Sequence, residues 1–168
     1  YHWEKRYIST LDDLRRLAEA PRATLKWDKA GWQQSINDIG ERGFPLIFLP
    51  HPLGRLVRNA DMEAVYAWFH EAPELLHRFL EAANRQMADV VAGMLQDGMG
   101  PAFVTYAHEM LIPPWLGRPL FDEFVFPYDK LVNDAIHRHG GKLRIHCHGP
   151  CMDYLELFAQ MGVDAIEP

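Results

Sequence analysis

The apolar positions of this chain keep two rhythms, one helical and one of short runs closed by turn residues. Leu11, Leu14 and Leu17 recur at helical spacing behind Thr10, a residue suited to N-capping, and Pro21 closes the segment, so a helix is predicted over residues 11–20. A second helical segment covers residues 29–42. It leads through Gly43 into the apolar run 44–50, whose short length and bounding turn residues predict a buried strand. Two helices are expected next, over residues 61–72 and 73–98. The longer one opens on Pro73, a favoured first helical residue, and stops at Gly98. Along it Leu76, Leu80, Met87, Val91 and Met94 share helical spacing, which marks core packing rather than a cofactor box.

Residues 102–107 are rich in β-formers and predict a second strand, which breaks into the irregular loop Pro113-Pro114-Trp115-Leu116-Gly117, long enough to carry function. A helix over residues 120–139 follows, kinked at Pro127 and ended by Gly140-Gly141. Residues 142–149 predict a third strand, 152–161 a short helix stopped at Gly162, and 163–168 a fourth strand. Strands alternating with helices imply parallel pairing through crossovers, hence an open doubly wound sheet or a closed barrel. The chain opens without methionine and stops on a strand end, and its strands are half of the eight that a barrel needs. The expected fold class is therefore α/β: a parallel (β/α)8 TIM-type barrel of which about half is present. Residues 1–43 would form a helical lead-in and 44–168 the barrel strands and helices, with flanking barrel segments missing.

Composition narrows the partners. With 48% hydrophobic and 24% charged residues in 168, the chain has enough apolar material for one core and too little polarity for disorder. A net charge of -6, with both signs interspersed, argues against a nucleic-acid partner. No apolar run approaches the roughly 18 to 20 residues needed to span a bilayer, and Tyr1-His2-Trp3-Glu4-Lys5-Arg6 lacks the apolar stretch of a secretory leader. A cytoplasmic protein away from membranes is expected. Its two cysteines, Cys147 and Cys151, stand four apart beside two histidines, which reads as metal or reactive chemistry or as two inert buried thiols.

In parallel β/α folds the active face lies at the strand C-terminal ends. Side chains alternate along a strand, so Arg144, His146 and His148 share one face of the third strand and Leu143, Ile145 and Cys147 the other. If the apolar set meets the helices, the two imidazoles face the barrel axis, about 6.5 to 7 Å apart by Cα and close enough to share one metal ion. Gly149 lets the backbone approach a ligand. Continuing the alternation of the second strand places Phe103, Thr105, Ala107 and Glu109 on one face, with Glu109 at the mouth and His108 turned away. Glu109 would serve as a metal ligand or a general acid, or else form a salt bridge. The expected catalytic set is Glu109, His146 and His148. His146 and His148 are the expected metal ligands, and Arg144, Glu167 and His51 the expected substrate contacts. Asp153 and Cys151 begin the helix after the histidine strand, where a thiol pKa is lowered by a helix N-terminus.

The run Phe121-Asp122-Glu123-Phe124-Val125-Phe126-Pro127-Tyr128, then Gly140-Gly141-Lys142, then His146-Cys147-His148-Gly149, then Gly162-Val163-Asp164-Ala165-Ile166-Glu167-Pro168 resembles the uroporphyrinogen decarboxylase superfamily. The similarity runs from about residue 44 to the end, and it implies a closed β/α barrel with a funnel-shaped site. One branch of that superfamily decarboxylates uroporphyrinogen without a cofactor, through arginines and an aspartate on N-terminal segments that this chain does not contain. The other resembles zinc-dependent enzymes that move a methyl group between a corrinoid protein and a thiol, with zinc held by a His-x-Cys pair and a later cysteine. His146 matches the histidine of that pair, and His148 stands where the first cysteine would be. The resemblance thus implies zinc-assisted methyl transfer with a corrinoid or tetrapyrrole-type substrate, the third ligand lying beyond Pro168. Cofactor-free decarboxylation in porphyrin biosynthesis is the alternative, and a barrel that only binds a tetrapyrrole or corrinoid is a second one.

Overall fold

The computed structural model describes residues 6–168. The expectation of no secretory leader rests on residues 1–6, of which 1–5 lie outside the described residues. Helix α1 (Leu11–Glu19) starts where expected, because Thr10 accepts from the Asp13 N–H while the Asp13 carboxylate accepts from the Thr10 N–H. Its Leu14 is fully buried. Helix α2 (Lys29–Ile39) is capped by Asp28 and continues as a 3₁₀ turn, Gly40–Arg42. Strand β1 (Ile47–Leu49) is shorter than its apolar run, and Phe44 ahead of it is exposed.

A helix that the spacing analysis passed over comes next. α3 (Pro52–Asn59) carries Pro52 in its first turn and buries Leu53, Leu56 and Val57, the i, i+3, i+4 pattern of one helical face. After α4 (Met62–Glu71) and the long α5 (Pro73–Gln96) comes β2 (Ala102–Thr105). The single kinked helix expected over residues 120–139 is two helices, α6 (Arg118–Phe124) and α7 (Phe126–Arg138). They break at Val125 because Pro127 has no N–H to continue the ladder. Strand β3 (Lys142–His146), a 3₁₀ turn at Cys151–Tyr154, α8 (Leu155–Gln160) and β4 (Ala165–Glu167) complete the chain.

Among the described residues, the four strands pair in parallel in the order β1-β2-β3-β4. A doubly wound sheet reverses its strand order and covers both faces with helices. Here the order never reverses. Register aligns Leu49, Thr105, Ile145 and Ile166 across the sheet, and the first three line one space with Asn84 and Met87 of α5 and Val132 and Asn133 of α7. That face carries the helices. The opposite face, set by Phe48, Val104, Arg144 and Ala165 in register, is the concave one of a barrel arc. Phe48 stands 58% exposed on it. The architecture is thus the parallel β/α barrel type predicted from the alternation of strands and helices.

Tight contact fixes the upper edge of the arc. A Cβ placed on Gly54 in α3 would lie 2.5 Å from the Ala107 Cβ, an atom with no rotamer to escape into. Helix propensity alone would make Gly54→Ala stabilising by about 1 kcal/mol. Overpacking against Ala107 outweighs it at about 1–3 kcal/mol. Denaturant unfolding is therefore expected to show a net loss of stability for Gly54→Ala, and a gain would contradict the close approach of α3 to the β2 terminus.

Candidate active site

Two polar clusters flank the C-terminal ends of the strands, on opposite faces of the sheet. The first grows from β3. Its alternation places Arg144 and His146 on the concave face as predicted, while Leu143, Ile145 and Cys147 are buried at 0–3% exposure. His148 lies just beyond the strand, exposed, and its Nε2 meets the Nε2 of His146 at 2.8 Å. One ring donates and the other accepts. Glu167, in register with His146, sits on the far side of that ring with Oε2 3.7 Å from His146 Nδ1 and 2.9 Å from Arg144. His146 Nδ1 and Arg144 Nε are buried with no hydrogen-bond partner among the described residues. A ladder of rings crosses the same face: Phe48 to Tyr106 at 5.3 Å, Tyr106 to His146 at 5.0 Å, His146 to His148 at 4.3 Å.

The second cluster lies behind the sheet, where strand alternation predicts no polar site. His51 caps the N-terminus of α3, its Nδ1 accepting the Gly54 N–H at 3.1 Å. Its Nε2 therefore carries the ring proton and donates to Asp129 of α7, 2.8 Å from Oδ1. His108 donates from Nε2 to Asp129 Oδ2 at 2.9 Å. The three residues are 6%, 1% and 8% exposed. His51 was expected among the substrate contacts at the mouth; it is instead enclosed here, away from the concave face.

Glu109 also departs from expectation. β2 ends at Thr105, and Ala107 takes φ +90°, a conformation that L residues rarely adopt, so the strand alternation does not extend to residue 109. Phe103 and Thr105 face the helices, and Glu109 rides a 3₁₀ turn, His108–Met110. Its Oε1 pairs with Arg58 of α3 at 3.4 Å, while Oε2 is buried without a partner among the described residues. The salt bridge that competed with a catalytic role is therefore formed, but with a helical arginine of α3. The loop beyond is pinned rather than mobile in form: Leu111, Ile112 and Leu116 are buried, and Trp115 stacks on Tyr66. Cys147 is fully buried, and burial pushes its thiol up to about 12, which makes it a packing residue and not a nucleophile. Cys151 is buried as well.

Which cluster suits a metal is decided by the hydrogen bonding. The ligand atoms of His51, His108 and Asp129 lie within 4.8 Å of one another, close enough to hold an ion. The same nitrogens, however, carry the protons that Asp129 accepts, and moving the His51 proton to Nδ1 would set it against the Gly54 N–H. His146 and His148 have no such obligation. Their Nε2 atoms converge at the open face, and no third His, Cys, Asp or Glu among the described residues completes a set with them.

A one-sided helix layer over parallel strands, with polar side chains gathered at the strand C-terminal ends, defines a β/α-barrel enzyme site. Residues 53–168 match the family model for uroporphyrinogen decarboxylase (URO-D), so the chain belongs to that family of enzymes. Comparison with curated proteins gave no match, and neither did comparison with solved structures. Among the described residues no helix is long and apolar enough to cross a membrane.

The buried cluster makes stability depend on pH in a defined direction. Burial holds His108 neutral below its ordinary value of 6.5, against the pull of Asp129. The unfolded chain then binds the extra proton, so stability is full above about pH 6.5 and falls as pH drops. Burial alone would raise the Asp129 carboxyl, but the facing His51 and His108 rings hold it well below its ordinary 3.8, adding stability that is lost as pH falls below that value. Thermal unfolding between pH 7 and 5 is expected to show a slope of up to about 1.4 kcal/mol per pH unit from His108. In His108→Gln that slope should shrink; an unchanged slope would show that His108 does not titrate on unfolding.

Proposed function

We propose that this chain carries the strand-end site of a metal-assisted methyl-transfer enzyme, with His146 and His148 holding zinc and a corrinoid or thiol as the methyl partner. The meeting of the two Nε2 atoms at 2.8 Å carries this reading. Two nitrogens bound to one tetrahedral zinc at about 2.0–2.1 Å stand about 3.3 Å apart, so the rings need part by only about half an ångström. Glu167 supports the same assignment from behind. A carboxylate beside Nδ1 favours the tautomer that leaves Nε2 free as a ligand, and Glu167 is itself held by Arg144. When bound, zinc supplies a Lewis acid that lowers the pKa of a thiol or polarises a methylated substrate.

The surrounding residues bind and orient. The Phe48, Tyr106 and His146 rings, inclined at 49° and 53° from one to the next, form an uneven aromatic floor that favours a bulky macrocycle such as a corrinoid or tetrapyrrole. Arg144 Nε, buried and unpaired, favours a substrate oxygen anion near the floor. That observation also favours the second reading, cofactor-free decarboxylation, in which Arg144 would hold a substrate carboxylate; the guanidinium already pairs with Glu167 through Nη2, which weakens the case. Imidazole in place of thiolate donates less charge to zinc, which favours a substrate that is activated easily. A cytoplasmic setting and a corrinoid-protein partner accompany the leading reading.

Metal analysis of the full-length protein, purified without chelator, is expected to find about one zinc, cobalt or nickel per chain. His148→Ala, altering an exposed ring, should lose most of it while unfolding at the same temperature. Absence of bound metal from the unmodified protein would contradict methyl transfer of this kind. Glu109→Gln separates an enzyme from a binding barrel: turnover lost with ligand affinity kept supports the enzyme, and unchanged turnover removes Glu109 from the catalytic set.

A further inference from the structure

Behind the sheet, next to the Asp129 cluster, lies a small cavity of about 20 Å³. Its lining includes Asn84 of α5, Thr105 of β2, and His108, which are 2%, 8% and 1% exposed. Each has one polar atom buried without a partner among the described residues: Asn84 Oδ1, Thr105 Oγ1 and His108 Nδ1. Unpaired buried groups each cost about 1–3 kcal/mol, so three around one cavity call for a common explanation.

Their chemistry is complementary. Asn84 Nδ2 donates to the Leu80 carbonyl at 2.9 Å, which fixes the amide orientation and leaves Oδ1 as an acceptor. His108 spends its ring proton on Asp129 through Nε2, so Nδ1 is a bare acceptor as well. Thr105 Oγ1 has a hydroxyl proton to give. Two acceptors and one donor are what a single water molecule satisfies, with two O–H bonds to donate and a lone pair to receive. A buried water needs about 10–15 Å³ of such space and two to four polar partners, and this cavity offers both.

We infer that one resident water occupies this cavity, donating to Asn84 Oδ1 and His108 Nδ1 and accepting from the Thr105 hydroxyl. It ties α5 and β2 into the Asp129 cluster, extending a clamp of one helix and two loops to the longest helix of the fold. It also holds His108 in the tautomer whose Nε2–H faces Asp129.

A high-resolution crystal structure of the full-length protein tests this directly. The expected result is one density peak within hydrogen-bond distance of all three atoms; a cavity without density, or a peak that misses them, overturns the inference. Thr105→Val supplies a second test whose sign separates the cases. With the water present, the isosteric change removes its donor and the unfolding midpoint falls by about 2 °C or more. In a dry cavity the change exchanges an unpaired hydroxyl for a methyl group, and the midpoint rises, which also overturns it.

Discussion

Behind the sheet, one carboxylate accepts from two imidazoles that arrive from different loops, and the start of α3 and the turn after β2 are both positioned by it. Asp129 comes from α7, His51 from the end of β1, and His108 from the turn after β2. Bonds to a buried charge are worth about 1.5–3 kcal/mol each, and losing one partner leaves the rest unpaired in an apolar setting. By holding His51 the cluster aims the start of α3, and so places Arg58. By holding His108 it fixes the turn that carries Glu109. Arg58 and Glu109, which pair at 3.4 Å, are thus set from the back of the sheet.

The sheet sorts the polar residues into two duties. On its helix side, the charged centre is committed: Asp129 is satisfied by two donors and the His51 ring is used at both nitrogens. A site so closed folds the protein and does little else. On the concave side commitment is partial. His146 and His148 share one hydrogen bond between them, Glu167 stands beyond hydrogen-bond distance of His146, and Arg144 Nε has no partner among the described residues. Buried polar groups with unused capacity, gathered at strand C-terminal ends, are where a ligand gains most.

The legible parts of the fold were those with an uninterrupted period. β3 keeps strict alternation, so the shared face of Arg144 and His146, and the inward burial of Cys147, could be read from spacing alone. The helical stripe of α5 was equally plain. What escaped detection lies where a local period breaks, is too short, or does not reach. Ala107 turns into positive φ, so counting alternate residues onward from Thr105 put Glu109 on a face that does not exist. α3 is two turns long and follows a strand after only two residues, too short a stretch for the periodicity to stand out. The Asp129 cluster joins residues 78 and 21 positions apart, beyond any local pattern. One signal did exist: in α7, Asp129 occupies the stripe position continued by Val132, Asn133 and Ile136, and a carboxylate on a buried stripe requires partners.

The central claim is that the two histidine clusters have separate duties, the concave pair for a ligand and the buried pair for the fold. Histidine side-chain nitrogen NMR of the full-length protein during zinc titration addresses both at once. The account predicts saturable shifts of His146 and His148 Nε2, with the resonances of His51 and His108 unmoved. Shifts confined to His51 and His108, with His146 and His148 unaffected, would contradict it.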